Sequence, residues 1–331
     1  MLALLHHGNP GDAGVHLAHV ADPHPPGAGE VTVTLLAAGL NRHELFQIDR
    51  RTPNDAPQIL GADGTGSVTA IGSDVPTDLL NTTVLLDPCI GWESDDMIPA
   101  VPAMLGDPYP GTFAQRVTVP ATNVYPVPDH LSTVEAACLG LSAATAYRGL
   151  FTKGGLRKGE HVVVTGFSGG VGPLATALAV AVGAEVTVTT RTTRHRERAE
   201  RLGAHHVIAD PDSFDEQLTR RADIVFDGVG ARSIGPALRA LRPGGRLVTY
   251  GATTGAGAEI SLRDLFFTQV DIRGTSMANQ QDFAAMLSMV TTHRIAPAVD
   301  HVAGLRDAAG EIEKSRSSAG FGKTVFTMEE L

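Results

Sequence analysis

The chain has 331 residues, 43% of them hydrophobic and 19% charged, with a formal net charge of −10. That length and mix suit a globular protein of two domains, and the negative balance argues against nucleic acid or an anionic membrane as the main partner. The two cysteines, Cys89 and Cys138, exclude a disulfide framework and a multi-cysteine zinc site. Residues 1–7 carry no basic, long apolar leader, and the most apolar stretch, 174–182, is too short to cross a bilayer. A cytoplasmic protein without a membrane partner is the expectation.

Along the chain, residues 30–35 alternate with period two and read as a strand. Residues 64–70, 83–86 and 112–119 look similar, and short strands between turn residues predict a β-rich barrel over 1–122. The character then changes. Ser132-Thr133-Val134-Glu135 is a capping-box pattern, in which serine and glutamate satisfy orphan amides reciprocally, and 139–151 is an alanine-rich helix. Residues 161–165 read as a buried parallel strand. Strands at 185–190, 206–209, 222–226, 246–250 and 270–274 follow, with helices at 194–202 and 233–241. The expected fold is α/β: a doubly wound Rossmann sheet over 123–289 beside a β-rich domain that 290–331, with a helix at 305–315, folds back to complete.

Between the first parallel strand and its helix lies Thr165-Gly166-Phe167-Ser168-Gly169-Gly170-Val171-Gly172. Glycines let the backbone approach a pyrophosphate, whose charge a helix N-terminus favours. The position after a valine-rich strand marks this loop, with Ser168, Gly169, Gly170 and Val171, as dinucleotide-binding. Phe167 stands where the common fingerprint has its first glycine, and the sequence offers no reason for it. The end of the second strand, Thr189-Thr190-Arg191-Thr192-Thr193-Arg194, lacks the acid that binds an NAD ribose. A hydroxyl at Thr190 and guanidinium groups at Arg191 and Arg194 suit a 2′-phosphate, so NADPH is the expected cofactor. Arg194 also reads as part of a solvated helix face with Arg196, Arg198 and Arg201.

The chain resembles the medium-chain dehydrogenase/reductase superfamily, and within it the zinc-free quinone oxidoreductase-like and zinc-type alcohol dehydrogenase-like members. The resemblance rests on Ala38-Gly39-Leu40-Asn41-Arg42-His43-Glu44-Leu45-Phe46, on Ile59-Leu60-Gly61-Ala62-Asp63-Gly64-Thr65-Gly66, on Gly111-Thr112-Phe113-Ala114-Gln115, on 141–147, on the glycine loop and on Gly320-Phe321-Gly322-Lys323-Thr324-Val325. It implies a GroES-like substrate domain, a Rossmann domain and a homodimer joined through the strand at 270–274. It also implies that Thr145 faces the nicotinamide, that Gly228, Val229, Gly251, Ala252 and Met277 line the cofactor, and that Lys323 reaches the pyrophosphate.

Zinc-dependent relatives use three protein ligands and an open position. By resemblance those ligand positions fall on Asn41, Ala62 and Leu141, which cannot make such a site, so no metal is expected. Without a Lewis acid, hydride transfer suits an already activated small-molecule acceptor, a quinone or an α,β-unsaturated carbonyl. Asn41 is a hydrogen-bond donor to the substrate oxygen or to the cofactor carboxamide, or a turn residue. His43 is a proton donor, with an ordinary pKa near neutrality, or a structural histidine. Asp63 orients its neighbours or accepts turn amides. Phe46 stands where some quinone and enoyl reductases carry tyrosine, which favours direct transfer. Two other readings stay open: an alcohol or aldehyde dehydrogenase with an unusual metal, and a non-enzymatic NADPH sensor.

Overall fold

The computed structural model describes residues 1–317 and 320–328; of the tail expected to complete the β-rich domain, 318–319 and 329–331 lie outside the described residues. The chain divides into two compact units, one of Met1–Ser142, Asn279–Ala284 and Ala296–Leu331, the other of Ala143–Ala278 and Ala285–Ile295. The first break falls at Ser142, later than the 122 expected from sequence. The intervening segment belongs with the strands before it. Val124–Pro126 pairs with Thr83–Leu86, and Ala137 and Cys138 pack with Ala37 and Val325.

The first unit is built on the strand Glu30–Gly39. Its inward residues Val31, Val33 and Leu35 are buried with Val68, Val84, Val117, Phe113 and Phe326, the burial that period-two alternation predicts. Thr65–Ile71 and Arg116–Pro120 pair with it antiparallel. So does the closing strand Lys323–Thr327, with Val325 opposite Gly39, and Leu40 N–H donates to Thr324 O at 2.9 Å. That register carries Lys323 alongside Asn41. Val299–Gly304 extends the sheet beyond the closing strand. Leu2–His6, with Val15–His19 and Gln58–Ile59, forms a smaller sheet that periodicity did not reveal.

The second unit holds a six-stranded parallel sheet. Its order is His206–Ile208, Glu185–Thr189, His161–Val164, Ala222–Asp227, Leu241–Thr249, Asp271–Gly274. This is the doubly wound order, and the strand sequence reverses between His161–Val164 and Ala222–Asp227. The central strands are buried throughout, as parallel strands covered on both faces must be. Helices Val171–Ala181 and Ala231–Ala240 pack on them. The expected helix at 139–151 is an α-helix, Gly140–Tyr147, continued by a π-helix, Arg148–Lys153. Helices Arg42–Arg50, Leu262–Thr268 and Gln280–Thr292 were not foreseen from periodicity.

Candidate functional site

Two groups of residues carry chemistry, one in each unit. In the parallel-sheet unit the glycine loop lies at the point where strand order reverses. Gly166 has φ +65°, a left-handed conformation that L side chains rarely adopt. A Cβ on Gly172 would lie 2.8 Å from Phe167 Cα and 3.0 Å from Gly166 O, so the loop closes against its own helix only with glycine there. Phe167 is fully buried, and its N–H donates to Thr189 O at 3.1 Å. The ring is therefore a core anchor, which leaves the rim of the loop to exposed Gly169 and half-buried Ser168, Gly170 and Val171. The N-terminus of Val171–Ala181 has no side-chain cap, and the first-turn amides of a helix favour an anion.

Asp227 holds the neighbouring loop. Its buried carboxylate accepts from Thr165 Oγ1 and Ser233 Oγ, both at 2.6 Å, and from Gly230 N–H at 3.0 Å. Gly228 and Val229 follow directly, and Gly251 and Ala252 follow the next strand. Thr253 and Thr254 tie the two loops by donating to Gly228 O at 3.1 Å and Val229 O at 2.8 Å. Met277, beyond the last strand, has φ +52°. Thr145 is buried on Gly140–Tyr147. At the end of the second strand Thr190 is buried, and Thr189 Oγ1 is buried with no hydrogen-bond partner among the described residues. Arg191 and Arg194 are exposed. Arg196 and Arg201 are held by Glu200 and Glu197, the helix-face pairs expected of them.

In the β-rich unit the three catalytic candidates lie at or beside the start of Arg42–Arg50. Asn41 is its N-cap residue, and its N–H donates to Glu44 Oε2 at 2.6 Å. Asn41 Oδ1 accepts from Lys323 Nζ at 2.5 Å and from Ser142 Oγ at 3.3 Å. The second partner of the ammonium is Asp63 Oδ2, in a short, buried ion pair. Asp63 Oδ1 accepts the Leu141 N–H at 2.6 Å, and a Cβ on Gly140 would lie at the same distance, 2.6 Å, from that oxygen. Lys323, expected at the cofactor pyrophosphate, thus bonds within this cluster. It is 4% exposed, and a buried ammonium stays where a carboxylate and a carbonyl satisfy it.

Glu44, whose chemistry the sequence reading passed over, is the fourth polar group. Its carboxyl accepts the Asn41 and Ala62 N–H groups, at 2.6 and 3.0 Å. Burial, and then the charge of Asp63, pushes it up to about 7. The Asn41-x-x-Glu44 spacing was the sequence signal for it. At His43 burial lowers the pKa, which weakens the case for it as a proton donor, and its Nε2 is buried without a hydrogen-bond partner among the described residues. Phe46 is exposed.

These residues do not fit a zinc ion. Two of the three ligand positions, Ala62 and Leu141, have no donor side chain, and the oxygen of the third, Asn41, already accepts from an ammonium. Both cysteines are buried, and burial pushes the Cys138 thiol up to about 12, away from the thiolate a metal needs. Among the described residues no group of three or more His, Cys, Asp and Glu side chains could hold a metal, and no helix is long and apolar enough to cross a membrane.

Residues 27–129 match the family model of the alcohol dehydrogenase GroES-like domain, and 170–292 that of the zinc-binding dehydrogenase. The zinc-type alcohol dehydrogenase-like protein YogA of Leptosphaeria maculans is 32% identical over 91% of this chain and 91% of its own length. An acryloyl-coenzyme A reductase of Metallosphaera sedula is 27% identical over 95% of this chain and 96% of its own. A solved NAD-dependent alcohol dehydrogenase superposes with a TM-score of 0.91 at 30% identity, over 99% of this chain and 100% of that one. The Rossmann sheet, the GroES-like domain and a relative of this identity along nearly the whole length agree: the chain belongs to the medium-chain dehydrogenase/reductase superfamily.

Proposed function

We propose that the protein is an NADPH-dependent reductase that delivers a hydride to a quinone or an α,β-unsaturated carbonyl, without zinc, as a homodimer. The observation that carries this reading is the Lys323 ammonium bonded to Asn41 and Asp63, beside ligand positions that lack zinc donors. An unactivated alcohol needs a Lewis acid to shed its proton, whereas a conjugated acceptor needs orientation and a donor for the developing oxyanion. Asn41 supplies that donor. Its oxygen faces the ammonium, so its NH₂ end is free to bond a substrate oxygen. That end has one weak partner, Gly39 O at 3.4 Å. Asp63 holds both Lys323 and the Leu141 amide in place. Solvent returns the proton to the product.

The bound nicotinamide would supply the hydride. Ser168, Gly169, Gly170 and Val171 would hold its pyrophosphate, with Thr145, Gly228, Val229, Gly251, Ala252 and Met277 around the rest. Thr190, Arg191 and Arg194 would take the 2′-phosphate, since neither arginine has an ion pair among the described residues and no acid stands at the strand end. The relatives include an enoyl-type reductase, the acryloyl-coenzyme A enzyme, which supports a conjugated acceptor. They also include an NAD-dependent alcohol dehydrogenase, which supports the opposite direction with the other cofactor. NADPH oxidation against a panel of quinones and enones, alongside NAD(P)⁺ reduction with simple alcohols and metal analysis, separates the two. Turnover of a conjugated acceptor that survives chelation is expected; stoichiometric zinc, or activity confined to alcohols, rejects the reading.

A further inference from the structure

We infer that Lys323 is a positioning residue that stands in for a metal's charge by acting through Asn41. This rests on the reading of Asn41 as the donor to the substrate oxygen. The amide of Asn41 is gripped at its carbonyl end by the ammonium at 2.5 Å and the Ser142 hydroxyl at 3.3 Å. An ammonium donates only, so the Asn41 oxygen must face it and the NH₂ must face away. The grip also polarises. Charge drawn onto the carbonyl oxygen withdraws electrons from the amide nitrogen and makes its N–H groups stronger donors, the cooperative effect of a hydrogen-bond chain in a low-dielectric site. Asn41 and Lys323 are both buried, so water screens little of this.

The surroundings serve the same end. Asp63 neutralises the ammonium through Oδ2, while its Oδ1 is committed to the Leu141 N–H. Ser142 Oγ lies 3.4 Å from Lys323 Nζ and completes the ring of polar contacts. The closing strand delivers the lysine: Val325 opposite Gly39 sets Lys323 beside Asn41 across the sheet. A positive charge is thus transmitted to a substrate oxygen by a neutral amide, where zinc-dependent relatives would apply a cation directly.

The test uses the full chain. Lys323→Met alone leaves Asp63 buried and unpaired, so the informative variant is Lys323→Met with Asp63→Asn, which removes both charges. It is made in the native and Asn41→Ala backgrounds, with Lys323→Arg as the conservative variant. On the best acceptor from the panel, the double variant lowers kcat about 10- to 100-fold, with KM and NADPH Kd changed less than about 2-fold, a typical loss for a weakened oxyanion donor. In the Asn41→Ala background the same pair costs less than about 2-fold, the non-additivity of residues acting in series. Lys323→Arg retains most of the activity. Independently of turnover, the Asn41 side-chain amide resonances of ¹⁵N-labelled protein, assigned by their absence in Asn41→Ala, move upfield in the double variant and stay near their native positions in Lys323→Arg. Equal kinetic loss in both backgrounds, or unmoved amide resonances, overturns the inference. Should the native protein turn over no acceptor, the functional reading falls, while the resonances still decide whether Lys323 polarises Asn41.

Discussion

At the scale of single residues, burial rather than residue type sets the chemistry. Glu44 is an acidic residue whose folded pKa, about 7, lies above its ordinary 4.5. Between those values the folded chain binds a proton that the unfolded chain releases. Its stabilising contribution is therefore full at low pH and is lost as pH rises towards about 7. Asp87, also pushed up to about 7 by burial, acts with the same sign. Glu44→Gln removes one of the two titrations. In denaturant unfolding, the native chain should lose on the order of 2 kcal/mol relative to this variant between about pH 5 and about pH 7.5; a constant difference over that range refutes the protonated carboxyl. Arg191 makes the complementary case for an exposed group. Arg191→Ala should weaken NADPH binding about 10- to 100-fold, the worth of a charge-assisted phosphate contact, and leave NADH binding unchanged. Equal weakening of both cofactors, read by titration, would take the arginine out of the 2′-phosphate site.

At the scale of elements, the strand–loop–helix of 161–181 works because backbone passes backbone without side chains between. Gly172→Ala sets a Cβ 2.8 Å from the Phe167 Cα, an atom that cannot swing aside. The variant should lose about 1–3 kcal/mol of stability, as overpacked sites do, and most of its NADPH affinity. Thermal melting with and without NADPH measures both, and native affinity in the variant would separate the loop from cofactor binding. Phe167 gains its explanation here. A glycine at that place would leave the core position empty, whereas the aromatic ring fills it and its amide ties the loop to the second strand.

At the scale of the whole molecule, one sheet edge asks for a partner. Asp271–Gly274 ends the parallel sheet, and Ile272 on it is 40% exposed. The preceding helix Leu262–Thr268 has no buried residue yet shows Leu262, Phe266 and Phe267 on its surface. Open edges and apolar patches of this kind invite association, and a twofold pairing of like surfaces closes it. Light scattering should give a dimer for the native chain and a monomer for Ile272→Asp with Phe267→Glu. A native monomer removes the dimer from the proposal.

Much of this was legible in the amino-acid order. Period-two alternation marked 30–35, valine runs marked the parallel strands, and the Ser132–Glu135 spacing marked a capped helix start. Each is a local pattern, set by backbone geometry over a few residues or by side-chain chemistry alone. Lys323 was different. Its partner depends on a pairing between Glu30–Gly39 and Lys323–Thr327, strands nearly a whole chain apart, and nothing local encodes that register. Burial set the direction of the pKa shifts of Glu44 and His43 and the inward turn of Phe167 in the same way, because desolvation is a property of everything packed around a group. The sequence by itself determined the fold class and the glycine loop; only the tertiary structure decided which charge stands beside Asn41.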